Sequence, residues 1–135
     1  MFPLPLPLRV LVVDDNRDAA DTLADLLRLC GADVRTCYGA DGAMALAQVF
    51  EFDAGVLDVH MPGTDGCTLA RLLRAAAGAR RVLLVAVTGV SDEVARRRTA
   101  EAGFGLHLTK ASAPEILIAA LAAFVRWLEE HRPRQ

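Results

Sequence analysis

Five short apolar runs alternate along the chain with longer stretches whose apolar residues recur at helical spacing. The run Arg9 to Val13 is β-branched and apolar, and predicts a buried strand that ends on Asp14-Asp15. Asn16 is a good helix cap. Beyond it Ala19, Ala20, Leu23, Leu26, Leu27 and Cys30 mark a helix that Gly31 should stop. Val34 to Cys37 predicts a second strand, and Gly39 to Gly42 a turn. Ala43, Leu46, Ala47 and Phe50 then mark a second helix. Ala54 to Leu57 predicts a third strand with Asp58 at its tip, followed by the turn residues Pro62, Gly63 and Asp65-Gly66. Leu69, Leu72, Leu73 and Ala76 mark a third helix closed by Gly78. Val82 to Val87 reads as a central parallel strand that ends on Thr88-Gly89. Ser91 should cap a fourth helix reaching about Gly103. Gly105 to Leu108 predicts a fifth strand ending at Thr109-Lys110, and Pro114 opens a last helix carrying Leu117, Leu121, Phe124 and Leu128. Alternation of this kind implies an α/β fold: a parallel sheet with right-handed crossovers and helices on both faces.

Composition narrows the class. With 135 residues, 53% apolar and 24% charged, the chain has the profile of one globular domain. A net charge of -2 gives no nucleic-acid footprint, and Arg96-Arg97-Arg98 reads as a solvated helix face. Cys30, Cys37 and Cys67 are odd in number and lack metal-ligand spacing, so they read as free thiols of a cytoplasmic protein. No apolar run is long enough to span a bilayer. The opening Met-Phe-Pro-Leu-Pro-Leu-Pro-Leu is broken by Pro3, Pro5 and Pro7 and reads as an extended tail over residues 1–8. The expected domain is then 9–129, with a charged C-terminal tail over 130–135.

The chemistry lies at the strand ends. In a parallel sheet the tips Asp14-Asp15, Asp58, Thr88 and Lys110 share one edge, where open α/β sheets bind ligands. Three carboxylates in one crevice repel one another, and a hard divalent cation such as Mg²⁺ resolves that repulsion. A carboxylate beside such a cation can attack phosphorus and form an acyl phosphate, whose oxygens the cation, Lys110 and the Thr88 hydroxyl would hold. Each residue alone has an ordinary explanation: the acidic pair starts a helix, Thr88 sits in a turn, Lys110 is surface charge, Asp58 precedes a turn. The coincidence of four such residues at four strand ends favours the site.

These residues carry a family resemblance. From Arg9 to about Leu128 the chain resembles the receiver domain of two-component response regulators. The matching segments are Val-Leu-Val-Val-Asp-Asp-Asn at 10–16, Leu-Asp-Val-His-Met-Pro-Gly-Thr-Asp-Gly at 57–66, Val-Thr-Gly at 87–89 and Thr-Lys-Ala-Ser-Ala-Pro-Glu at 109–115. The resemblance implies a flavodoxin-like (βα)₅ three-layer sandwich with strand order 2-1-3-4-5. It implies Asp58 as phosphoacceptor, and Asp14, Asp15, Asp58 and the backbone carbonyl of His60 as the Mg²⁺ site. Thr88 would be the switch hydroxyl and Lys110 the phosphate-binding ammonium. It further implies a bacterial phosphorelay in which a sensor histidine kinase or histidine phosphotransfer protein donates the phosphoryl group. Signalling would run through the face made by the fourth helix, fifth strand and fifth helix. Ile118, Ala122 and Val125 form a second apolar stripe on the last helix, beside Trp127. If exposed, that stripe would suit a partner or homodimer; otherwise it is a wider buried face.

The sequence departs from the family pattern at several positions. The Lys is usually followed by Pro after a cis peptide bond, but here Ala111 follows Lys110, and a non-proline cis bond costs about 2.5–4 kcal/mol. The bond is then either trans, with a re-routed loop, or cis and strained, and trans is the expected form. His107 occupies the position of an aromatic switch residue. His60 and Val90 lie two residues past Asp58 and Thr88, where side chains influence acyl-phosphate hydrolysis. Val90 cannot orient water by hydrogen bonding, so self-hydrolysis should be slow.

Other function classes fit less well. An aspartyl-phosphate phosphatase of the haloacid dehalogenase type wants a second Asp where His60 stands. An FMN carrier wants a Ser/Thr/Gly-rich loop after the first strand, where Asp14-Asp15 would repel phosphate. A pseudo-receiver that takes no phosphate is the alternative within the family.

Overall fold

The computed structural model describes residues 6–89 and 92–131. The elements alternate throughout: β1 (Arg9–Val13), α1 (Arg17–Leu29), β2 (Asp33–Cys37), α2 (Ala40–Ala47), β3 (Ala54–Asp58), α3 (Gly66–Ala77), β4 (Leu83–Thr88), α4 (Glu93–Glu101), β5 (Leu106–Thr109) and α5 (Pro114–Glu130). All strand pairs are parallel, in the order β2-β1-β3-β4-β5. This is the expected (βα)₅ sandwich.

Both faces of the sheet are covered, which explains why the central strands are apolar at every position rather than at alternate ones. Leu11, Val13, Leu57 and Leu84 point to one face and pack with Phe52, Leu69 and Leu73. Val10, Val12, Val56 and Val85 point to the other and pack with Ala24 and Leu27 of α1 and Leu117 and Leu121 of α5. Leu6 and Leu8 belong to this second layer, at 1% and 3% exposure. The Leu6 amide donates to the Cys30 carbonyl at 2.7 Å, and the Asp33 amide donates to the Leu8 carbonyl. The end of the stretch read as an extended tail is thus packed against the core; residues 1–5 and 132–135 lie outside the described residues.

Several element boundaries differ from the sequence reading. α2 begins at Ala40, inside the expected turn, and takes Gly42 into its first turns; Phe50 lies beyond its end as a buried core residue. α4 is capped by Asp92, whose carboxylate accepts from the Ala95 amide at 2.8 Å, while the expected cap Ser91 lies outside the described residues, as does Val90. In α3 the buried face is Gly66, Cys67, Leu69, Ala70, Leu73 and Ala77, and Leu72 turns outward. On α5, Ile118 and Ala122 are 4% and 3% exposed within the second core layer, Val125 is partly buried against it and Trp127 stays 39% exposed, so at Ile118 and Ala122 the second stripe is the wider buried face. The apolar arc of α5 is wide because it covers the sheet and its neighbours together.

Candidate functional site

Parallel register brings the strand tips together. Val13 pairs with Leu57, Asp58 with Val87, and Thr88 with Thr109. Asp14, Asp58, Thr88 and Lys110 therefore end four adjacent strands on the same edge. Asp14 is fixed by the turn it makes: its Oδ1 accepts from the Asn16 amide at 3.0 Å, and Asn16 in turn caps α1 through the Ala19 amide. Asp58 is 4% exposed, and its Oδ1 accepts from the His60 amide at 3.0 Å. The Lys110 ammonium lies 3.3 Å from Oδ2 of both Asp14 and Asp58. The Lys110 amide donates to the Thr88 carbonyl at 2.8 Å, which holds the start of the β5–α5 loop against the tip of β4. A turn closed by the Ser112 amide on the Thr109 carbonyl follows, so the lysine is seated with Ala111 next to it.

One oxygen each from Asp14, Asp15 and Asp58 lies within 4.8 Å of the others. Such an all-oxygen donor set fits a hard divalent cation of the Mg²⁺ kind. The electrostatics agree. Burial raises the Asp58 carboxyl from its ordinary 3.8 to about 6; the His60 amide opposes the rise, the Asp14 charge adds to it and the Lys110 charge opposes it. For Lys110, burial pulls the ammonium down, but the Asp14 and Asp58 charges outweigh it and raise the group above its ordinary range. Thr88 is 1% exposed at the tip of β4. A cavity of about 520 Å³ opens beside Asp14 and Lys110, floored by Leu23, Leu26, Val87, Leu108 and Leu117 between α1 and the start of α5.

Two residues matter here that the sequence reading passed over. Gly66 was read only as a turn residue. A Cβ there would stand 2.5 Å from the Asp58 carbonyl oxygen and 2.7 Å from the Val59 Cα, so α3 starts against the backbone that carries Asp58. Its sequence signal is the Asp65-Gly66 pair, seven and eight residues after Asp58. Thr99 is 2% exposed on α4. Its Oγ1 lies 3.0 Å from Nδ1 of His107 and donates to the Arg96 carbonyl. His107 thus sits in β5 opposite Ala86 of β4 and is bonded to α4. Arg96, Arg97 and Arg98 are exposed, as expected of a solvated face.

The profile of the response regulator receiver domain matches residues 10–122. The chain belongs to this family. Receiver domains are signalling modules of two-component systems, and the chain's relatives agree. It is 37% identical over 120 residues to the DNA-binding response regulator MtrA of Mycolicibacterium paratuberculosis, covering 87% of this chain and 51% of that protein. The chain therefore spans about half the length of this relative. Among solved structures it is similar to a Burkholderia pseudomallei response regulator with a phosphorylated aspartic acid, a calcium ion and citrate. That match has TM-score 0.77 and 28% identity, over 93% of this chain and 75% of that one. It is also similar to the receiver domain of a Pseudomonas aeruginosa sensor histidine kinase with a magnesium ion coordinated in its active-site cleft. Here the TM-score is 0.78 and the identity 26%, over 89% of this chain and 98% of that one. Among the described residues of this receiver domain, no helix is long and apolar enough to cross a membrane.

Proposed function

We propose that this receiver domain is a cytoplasmic phosphoacceptor switch that takes a phosphoryl group on Asp58 from the phosphohistidine of a sensor kinase or histidine phosphotransfer protein. The observation that carries the reading is the buried Asp58 carboxylate with Asp14 beside it and the Lys110 ammonium 3.3 Å from both. An isolated buried carboxylate is costly, and one ammonium shared by two carboxylates leaves net negative charge that a divalent cation offsets, so that Lys110 can turn to incoming phosphoryl oxygens.

In the transfer, one Asp58 oxygen bonds to phosphorus while the phosphorus–nitrogen bond of the donor breaks and its electron pair returns to the imidazole. Lys110 and the Thr88 hydroxyl hold phosphoryl oxygens, and burial of Asp58 keeps bulk water off the acyl phosphate. Asp14, Asp15, Asp58 and the His60 carbonyl would hold Mg²⁺, which when bound neutralises the carboxylates and the phosphoryl charge. The domain catalyses at most its own phosphorylation and dephosphorylation. The donor approaches over the rim beside Asp14, where the apolar cavity between α1 and α5 offers room for its side chains. Output runs through α4, β5 and α5. The division into one domain with short flanking tails is part of the same proposal, with the expected 9–129 boundary moved back to take in the buried Leu6 and Leu8.

The test is intact mass after incubation with a small acyl or amido phosphate and Mg²⁺. A single phosphoryl adduct on the wild type that depends on Mg²⁺ and is absent from Asp58→Asn is expected. A folded wild type that takes no adduct would overturn the reading in favour of a pseudo-receiver.

A further inference from the structure

His107 makes one hydrogen bond and lacks another. Its Nδ1 lies 3.0 Å from the Thr99 hydroxyl oxygen, and that hydroxyl gives its hydrogen to the Arg96 carbonyl at 3.0 Å. With the hydroxyl hydrogen spent, Nδ1–H is the donor and Nε2 is left as a bare acceptor. Among the described residues Nε2 is buried with no partner. Buried polar atoms without partners are rare in folded proteins and mark places where an arrangement is held by something else. What holds the ring here is the Thr99 hydroxyl, the buried residue of a helix on which Arg96, Arg97, Arg98 and Ala100 are exposed.

The ring also lines a small, partly open cavity of about 20 Å³, bordered by Thr88, Thr99, Val59 and Cys67 and by the exposed His60 and Arg98. Thr88 shares this cavity with the imidazole, and it ends the strand next to β5. Any displacement of Thr88 toward a phosphoryl group on Asp58 changes the space that His107 faces. The ring has an unsatisfied acceptor to gain by following, and a single bond to Thr99 to lose.

Resting on the phosphoacceptor reading above, we infer that Thr99 is a positioning residue for the switch. Its hydroxyl latches His107 onto α4, and release of that latch is what couples the state of Asp58 to α4. The Thr99–His107 bond then biases the domain toward its unphosphorylated arrangement. Removing it shifts the balance between ring positions by about fivefold, the size expected of one net hydrogen bond. Phosphoryl uptake from a small donor becomes easier by a similar factor.

The experiment compares wild type, Thr99→Val and Thr99→Ser by ¹⁵N imidazole resonances and by intact mass, with and without acetyl phosphate and Mg²⁺. Thr99→Val keeps the shape and removes the hydroxyl, and Thr99→Ser restores it. The expected result without donor is an Nδ1–H signature for wild type and Thr99→Ser, and a changed His107 signature for Thr99→Val. That changed signature resembles the one that wild type acquires on phosphorylation. Adduct yield at limiting donor should rise severalfold in Thr99→Val alone. An adduct on wild-type Asp58 with His107 resonances that match between wild type and Thr99→Val overturns the latch and leaves the phosphoacceptor reading intact. A folded wild type with no adduct overturns both.

Discussion

The Lys110 ammonium keeps the same 3.3 Å distance to Asp14 as to Asp58. It is the counter-charge of a carboxylate pair, and it stands close to where a divalent cation would be held. Removing it should strengthen cation binding while weakening phosphoryl transfer. Lys110→Met is expected to bind Mg²⁺ about tenfold more tightly, a change of ~1.4 kcal/mol, and to give much less adduct at equal donor. Calorimetric titration with Mg²⁺ at low salt checks this; an unchanged affinity would show that the ammonium does not balance the site.

Asp58 carries a fold-stability cost with a defined pH window. Its carboxyl is raised from 3.8 to about 6 in the fold, chiefly by burial. Between those values the folded state binds the proton and the unfolded state does not. Stability therefore falls as pH rises through about 4 to 6, and the cost is complete above 6. Asp58→Asn removes it, so the variant should be more stable than wild type at pH 7.5 by up to about 3 kcal/mol. That figure already includes the Lys110 attraction, which opposes the rise. The gap should close as pH falls toward 4. Thermal melts across that range without divalent cations measure it, and a gap independent of pH would contradict the assignment.

Gly66 should tolerate no side chain. In Gly66→Ala the new methyl meets the Asp58 carbonyl and the Val59 Cα, both backbone atoms, at 2.5 and 2.7 Å. The β3–α3 connection must shift, at a cost of about 1–3 kcal/mol. Because that connection carries Asp58, adduct yield should fall along with stability. Urea unfolding alongside intact mass would separate the two effects.

Ile118→Glu tests the buried reading of the second α5 stripe. A carboxylate forced into the layer beneath α5 should destabilise the fold by about 3 kcal/mol or more without changing the mass in solution. A stable variant with altered oligomeric state would restore the exposed-stripe reading.

The strand tips were legible because a carboxylate or ammonium directly after an apolar run has only one place to go: the edge where the strand leaves the core. Asp14, Asp58, Thr88 and Lys110 were found that way, and the register then aligned them. The α4 cap was misplaced by one residue because Ser91 and Asp92 are both good caps and only local geometry chooses between them. The α5 stripe was left open because helical periodicity gives the width of an apolar arc but not what lies against it. Ile118 and Leu121 read alike in sequence, and both prove to be covered. The pairing of Thr99 with His107 joins α4 to β5, and the contact of Gly66 with Asp58 joins α3 to β3. Neither leaves a periodic trace; the Asp65-Gly66 pair marks a turn but not its contact with Asp58, and nothing in the sequence pairs Thr99 with His107.

The packing of Leu6 and Leu8 bears on how this module can be spliced. A chimera that starts at the first strand would cut through the hydrophobic layer between α1 and α5 and leave the lower ends of both helices wet. A graft onto another output should keep Leu6 with its bond to Cys30, and place the junction upstream of it.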